Sequence, residues 1–154
     1  MTLQVREGGL DTPEVRSLLT LHLRSMAAHS PPESIHALPL DELARPGISF
    51  WSAWSHGRLA GCGALKAVGP RHGEIKAMRT AEEFLRQGVA AAILEHIIEA
   101  ARSRGSERLS LETGTADAFR PAQQLYLKHG FGYSEPFADY APDPFSVFME
   151  RGLP

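Results

Sequence analysis

The chain has 154 residues, of which 43% are hydrophobic, and it carries a formal net charge of −2. That length predicts one globular domain, residues 1–154, with enough apolar residues for a buried core. The weak negative charge argues against nucleic-acid binding, and no apolar run approaches the ~20 residues that span a bilayer. Because no signal peptide is recognisable at the N-terminus, we expect a cytoplasmic protein that binds no membrane.

The N-terminal third predicts a short strand at residues 3–5, a long helix and then a loop. Thr12 suits the N-cap position and Pro13 the first helical position. Apolar residues recur on one face of the predicted helix, at Val15, Leu18, Leu19 and Met26. Prolines at positions 31, 32, 39 and 46 then predict an irregular segment with one helical turn around residues 41–44.

Three strands are predicted next. ISFWSAW and LAGCGALKAV form a hairpin pattern that turns at His56 and Gly57, and EIKAM, residues 74–78, supplies the third strand. The single cysteine, Cys62, lies inside this strand pattern. It is therefore interpreted as a small buried hydrophobe, in preference to a catalytic thiol.

An amphipathic helix is predicted directly after Gly88, and Gly105 suits the position just beyond its end. The start of a helix carries free N–H groups and a partial positive charge, so phosphate is stabilised there. Gly88 leaves room for phosphate oxygens because it has no Cβ. The alternative is that Gly88 only allows the strand-to-helix turn.

The last third predicts a strand at 108–113, a helix at 121–129 and two short strands at 131–135 and 146–150. The whole order of elements favours a mixed α+β fold with helices on both faces of one sheet. GxGxxG after the first strand and GxxxxGK[ST] are both absent from the sequence. A Rossmann dinucleotide site and a P-loop are therefore not expected.

Two segments resemble the GNAT acyltransferase superfamily. LRQGVA, residues 85–90, is similar to its R/Q-x-x-G-x-G/A signature, and AQQLYLKHGF, residues 122–131, to its A-x-x-L-Y-x-K-x-GF segment. Phrases such as GEIKAMRT and LSLETG resemble those of small stand-alone bacterial members. The chain departs from the family pattern at Leu85, where Arg or Gln is usual, and at Phe119, where Asn is often found.

The resemblance implies a central, mostly antiparallel sheet of about six or seven strands, splayed between the fourth and fifth. It implies an acetyl-CoA-dependent N-acetyltransferase, without a metal, that transfers acetyl directly to the amine of a small-molecule or amino-acid-like acceptor in a ternary complex. A homodimer formed through the terminal strands is a further implication. The alternatives are a non-catalytic acyl-CoA-binding sensor and a structural domain that binds nothing.

The resemblance also assigns the contacts to acetyl-CoA. The splayed strand offers its backbone to the pantetheine arm, and the glycine turn holds the pyrophosphate. The residues assigned to acetyl-CoA are Met78, Arg79, Thr80, Arg86, Gln87, Gly88, Val89, Ala90, Ala91 and Tyr126.

Three residues are candidates for the proton transfers of the reaction. Tyr126 matches the tyrosine that acts in the family as general acid toward the thioester sulfur. Glu112 and Glu74 are candidates for the general base, since an ammonium must lose a proton before it attacks. The alternatives are a core tyrosine and structurally paired carboxylates, with Lys76 as a surface partner for Glu74.

The acceptor pocket is expected from the proline-rich loop, the exit of the splayed strand and the C-terminal tail. Its candidate residues are Ser30, His36, Arg79, Asp139 and Tyr140. Arg79 suits bidentate pairing with an acceptor carboxylate, and a surface salt bridge is the alternative. His22 and His29 share one face of the first helix, but no third ligand follows at a recognisable spacing, so no metal site is expected.

Overall fold

The computed structural model describes residues 2–154, and within them seven strands form one mixed sheet in the order β1-β2-β3-β4-β5-β7-β6. The strands are β1 Gln4–Glu7, β2 Ile48–Ser55, β3 Arg58–Gly69, β4 His72–Thr80, β5 Arg108–Gly114, β6 Gly132–Ser134 and β7 Ser146–Gly152. The helices are α1 Pro13–His29, α2 Leu40–Leu43, α3 Val89–Ser103 and α4 Arg120–Lys128. Only β4 and β5 pair in parallel, and the other neighbours are antiparallel.

The ends of the elements follow from local sequence signals. The Thr12 hydroxyl accepts a hydrogen bond from the Val15 N–H at 3.3 Å, which caps α1 as predicted. His56 and Gly57 both have positive φ, of 50° and 77°, as a tight turn between two antiparallel strands requires. Gly105 follows the end of α3 with φ of 85°, and the next N–H, that of Ser106, reaches the Ala101 carbonyl at 3.0 Å.

The helices cover both faces of the sheet. On one face, the apolar side of α1 packs with Leu43 of α2 and with Cys62 of β3. On the other face, Ile93 and Ile97 of α3 and Tyr126 of α4 pack over β3, β4 and β5. Burial raises the pKa of the Cys62 thiol to about 12, so this residue packs as a hydrophobe.

The structure confirms the α+β fold class and the order of the predicted elements, and it corrects their bounds in places. The fourth strand begins at His72 and runs to Thr80, so Glu74 lies inside the strand and not at its start. Lys76 is buried and not at the surface, with only 7% of its side chain exposed. The proline-rich loop contains a 3₁₀ turn, Pro32–Ser34, besides α2.

Candidate active site

The sheet opens between β4 and β5. These strands pair only from His72 with Arg108 to Ile75 with Leu111, while β4 continues along β3 and β5 continues along β7. A register shift in β3 between Cys62 and Ala64 accompanies a positive φ of 54° at Ala77, which marks a bulge in the ladder. Beyond Ile75, the backbone of β4 therefore faces no strand on its β5 side.

A cleft of about 190 Å³ occupies this opening. Its walls come from the second half of α1, from the ends of β4 and β5, and from the start of α4. The polar side chains among its lining residues are His22, Ser25, His29, Lys76, Arg79, Glu112, Thr113 and Tyr126. Because Met78, Arg79 and Thr80 lie on the opened part of β4, the cleft borders the backbone that was predicted to hold a pantetheine arm.

An anion cradle, formed by residues 86–91, lies just beyond the end of β4. Arg86 and Gly88 both have positive φ, of 60° and 83°, and Gly88 is the N-cap of α3. No side chain caps this helix, and the first intrahelical bond runs from the Ala92 N–H to the Gly88 carbonyl. The N–H groups of Val89, Ala90 and Ala91 thus lack intrahelical partners, as an anion site requires.

Space at the cradle also suits an anion. A Cβ built on Gly88 would meet no atom within 4 Å, so the backbone faces open volume. Leu85 is 51% exposed beside it, and the Gln87 amide donates to the Glu83 carbonyl at 3.1 Å. The cradle therefore presents backbone amides, with Arg86 as the adjacent charged side chain.

Tyr126 lies on α4 and is 6% exposed, with its ring packed edge-on against Phe131. Its hydroxyl makes no hydrogen bond to any group in the described part of the chain, although the residue lines the cleft. Burial raises the pKa of this hydroxyl, which keeps it protonated throughout the neutral range. Tyr126 is therefore a protonated, unengaged donor at the cleft wall.

Glu112 enters the cleft from β5 and is held by a residue of the proline-rich loop. His36 Nδ1 lies 2.7 Å from both carboxylate oxygens of Glu112. The Glu112 side chain is 11% exposed and that of His36 is 34% exposed. The Glu112 carboxylate at the cleft is thus in contact with the His36 imidazole, which is partly exposed to solvent.

Glu74 belongs to a separate, more deeply buried network. Its Oε2 accepts hydrogen bonds from Lys76 Nζ at 3.1 Å and from the Tyr140 hydroxyl at 2.5 Å. Lys76 also reaches the Tyr140 oxygen, at 2.9 Å. Burial, together with the hydrogen bond to Glu74, raises the pKa of Tyr140. Glu74 thus lies in an ion pair, as the alternative interpretation held, but a buried one.

On the face of the sheet that α1 covers, the proline-rich loop, residues 30–47, and the loop between β6 and β7, residues 135–145, contact each other. Ser34 donates to Asp143 at 2.7 Å, and the His36 ring packs edge-on against Tyr140. The hydrogen bonds from Phe145 and Ser34 lower the pKa of Asp143. Among the other predicted acceptor contacts, Ser30 caps the end of α1 through its N–H and Asp139 is exposed. Neither lines the cleft, and His36 and Tyr140 also lie outside its lining, so Arg79 alone of the five predicted contacts borders it.

The sequence reasoning missed the part that His22 plays in the cleft. Its Nδ1 is the one buried side-chain nitrogen or oxygen within residues 2–154 that lacks a hydrogen-bond partner. Burial, aided by the nearby Arg79 charge, lowers the pKa of His22 to about 4. The one signal of it in the sequence is the spacing of His22 and His29 on one face of the first helix.

The depressed pKa of His22 predicts acid sensitivity. Between about pH 6.5 and pH 4, the unfolded chain binds a proton at this residue that the folded chain does not. The contribution of His22 to the free energy of unfolding is complete above pH 6.5 and falls with pH through this window, by up to ~3 kcal/mol. In urea titrations, the free energy of unfolding should fall less between pH 7 and pH 4.5 for His22→Gln than for the wild type. Equal falls in the two proteins would contradict the assignment.

No three histidine, cysteine, aspartate or glutamate residues in the described range cluster so as to hold a metal ion. Across residues 2–154, no helix is both long and apolar enough to cross a membrane.

Comparisons with known proteins identify relatives over nearly the whole chain. A family model described as the acetyltransferase (GNAT) family matches residues 15–131. The N-acetyltransferase YsnE of Bacillus subtilis (strain 168), of uncharacterised activity, is 56% identical over 98% of this chain and 100% of its own. YedL of Escherichia coli (strain K12), another uncharacterised N-acetyltransferase, is 50% identical over 97% of this chain and 94% of its own. A Bacillus subtilis acetyltransferase solved with CoA has the same fold, with a TM-score of 0.74 at 21% identity and 99% of each chain covered.

Proposed function

Because this chain belongs to the GNAT acetyltransferase family and is an acyltransferase, we propose that it moves acetyl from acetyl-CoA to the amine of a small-molecule or amino-acid-like acceptor. Transfer is direct, with both substrates bound. One observation carries the proposal. The opened edge of β4 leads from the anion cradle at Gly88 to a cleft in which Tyr126 and Glu112 both lie.

The residues of the cradle and the opened strand fit acetyl-CoA. The free N–H groups from Val89 to Ala91, with Arg86 and Gln87 before them, suit the pyrophosphate. The backbone of Met78, Arg79 and Thr80, unpaired on one side, suits the amides of the pantetheine arm. The Bacillus subtilis structural neighbour was crystallised with CoA, which supports this choice of donor.

Replacing Gly88 by Ala tests the cradle. We expect acetyl-CoA to bind at least about 10-fold more weakly, because a methyl group enters the anion site and the backbone has a φ of 83° that L residues resist by ~1–2 kcal/mol. Gly105→Ala is a matched control, since Gly105 has a φ of 85° and equal free space at the other end of α3. Calorimetry should show weaker binding in the first variant only, and equal affinity in both would contradict the cradle.

The proton transfers are assigned to three side chains. Acetyl-CoA supplies the acetyl group as a thioester, whose C–S bond breaks as the amine nitrogen forms the new C–N bond. Glu112 takes the first proton from the acceptor ammonium, and His36, in contact with both its oxygens, orients it and leads toward solvent. Tyr126 protonates the departing sulfur and recovers a proton from the nitrogen as the amide forms. One proton is released overall.

The acceptor is proposed to enter on the face of the sheet that α1 and the two loops cover. Arg79 lines the cleft there, while His36, outside the lining, contacts the Glu112 carboxylate and packs against Tyr140. Ser30 and Asp139 are proposed as peripheral contacts to the acceptor. Glu74 remains the second candidate for the base, behind Glu112, because Lys76 and Tyr140 already occupy its carboxylate.

A non-catalytic acyl-CoA sensor is the second candidate function, favoured by the exposed Leu85 at the first signature position and by Phe119 at the start of α4. Calorimetry with acetyl-CoA, paired with release of free CoA thiol in the presence of an amine panel, separates the candidates. Binding with thiol release supports the enzyme. Binding without release for every amine supports the sensor, and absence of binding leaves a structural domain.

A further inference from the structure

The Arg79 guanidinium and His22 Nδ1, both in the cleft, have no hydrogen-bond or ion-pair partner among residues 2–154. Among the arginines of the described chain, only Arg24, Arg79 and Arg86 neither form an ion pair nor donate a side-chain hydrogen bond. Arg24 and Arg86 are exposed, whereas Arg79 is half-buried. The other group is His22 Nδ1. Native proteins rarely leave buried polar groups unpaired, so the buried His22 Nδ1 indicates a ligand, and the half-buried Arg79 adds a positive charge without a counter-ion.

Both groups face the same side of the sheet. Arg79 lies opposite Cys62, whose side chain belongs to the core under α1, and its charge acts on both Cys62 and His22. Met78, the preceding residue, packs on the opposite face with α3. Arg79 and His22 therefore lie on the acceptor side of the cleft, opposite the face on which Met78 packs.

The charges in the cleft specify the chemistry of the ligand. Lys76 is already neutralised by Glu74, so Arg79 is the cation of the lining without a counter-ion. Glu112 is the carboxylate of the lining; it lies on β5, across the opening from Arg79 on β4, and His36 contacts its oxygens. A molecule with an anionic and a cationic end complements both, whereas a simple amine would leave Arg79 unpaired.

We propose, on the basis of the function proposed above, that the acceptor is a small amino acid whose carboxylate is bound by Arg79 and His22 while its amine faces Glu112. Arg79 presents two parallel N–H groups to the carboxylate oxygens, and neutral His22 donates from Nδ1. The cleft volume of about 190 Å³ is below the ~300 Å³ at which common ligand pockets begin, which favours a single amino acid over a peptide.

The test compares each amino acid with its carboxamide, which keeps the amine and side chain but removes the negative charge. For wild-type protein we expect kcat/KM to favour the acid by at least ~100-fold, the range expected from charge-assisted hydrogen bonds. Arg79→Gln should reduce this preference to within a few-fold. Because the proposed contact of Arg79 with acetyl-CoA runs through its backbone, which the substitution keeps, the KM for acetyl-CoA should stay near the wild-type value. Arg24→Gln, which removes an exposed arginine of α1, should keep the wild-type preference.

Thermal shifts of the CoA-loaded protein test the same site without turnover. Amino acids should raise the melting temperature of the wild type and of Arg24→Gln, but not that of Arg79→Gln. If amino acids raise the melting temperature in this pattern but no acceptor leads to release of CoA, the carboxylate site stands and the proposed transferase function fails. The inference is overturned if carboxamides serve as well as acids, if Arg79→Gln keeps the preference, or if no amino acid is either bound or acetylated.

Discussion

Replacing Tyr126 by Phe is expected to lower kcat by about 10²–10³-fold, the range typical of the loss of one general acid. The hydroxyl lines the cleft, has no protein partner, and stays protonated because burial raises its pKa. Removing it leaves the departing thiolate without a proton donor. Since no buried partner loses its hydrogen bond, we expect little change in stability or in acetyl-CoA affinity.

The control for this variant is Tyr133→Phe. Tyr133 lies on β6, is 60% exposed, and donates to Gln123 at 2.9 Å outside the cleft. Steady-state thiol release should fall for Tyr126→Phe alone, while calorimetry gives similar acetyl-CoA affinities for both variants. Equal turnover in wild type and Tyr126→Phe would remove this tyrosine from the mechanism.

Replacing Glu112 by Gln is expected to lower kcat/KM by about 10²–10³-fold near pH 7. An ammonium with a pKa near 8–10 is then mostly protonated, and the amide of Gln cannot take its proton. The difference in kcat/KM between Glu112→Gln and the wild type should shrink as the pH approaches the pKa of the amine, because free amine then forms in solution. A pH profile of kcat/KM for both proteins measures this convergence.

Glu74→Gln is the comparison that separates the two candidate bases. It leaves Lys76, whose side chain is 7% exposed, without its counter-ion, so we expect a stability loss of ~3–5 kcal/mol. Turnover per folded molecule should remain well above that of Glu112→Gln. A larger turnover loss in Glu74→Gln, with a pH-independent defect in Glu112→Gln, would transfer the base assignment to Glu74.

The ends of the helices and the hairpin turn can be predicted from the sequence because they depend on signals between neighbouring residues. The Thr12 cap, the His56-Gly57 turn and the glycines that flank α3 each act within a few residues, and each lies where predicted. The strand β4 extends two residues beyond each end of the predicted strand, residues 74–78, and Ala77 within it forms a bulge that was not predicted. A bulge depends on pairing with β3, which a period-two pattern within one strand does not report.

The candidate site was predicted less completely because its contacts join distant segments. His36 and Glu112 are 76 positions apart, and Tyr140 lies 66 positions from Glu74. In the sequence these residues are separate candidates. They come together only because the proline-rich loop and the loop between β6 and β7 fold over the same face of the sheet. The placement of His22 near the charge of Arg79 likewise depends on the packing of α1 over β4.

Transfer of isotope from acetyl-CoA labelled with ¹³C in its acetyl group tests the central claim most directly. Mass spectrometry of an amino-acid and amine panel should find an acceptor that carries the label as an amide, with CoA thiol formed in equal amount. Tyr126→Phe should slow both signals together, while Tyr133→Phe should not. Acetyl-CoA that binds at the Gly88 cradle but labels no acceptor, with thiol release no faster than in buffer, would contradict the account.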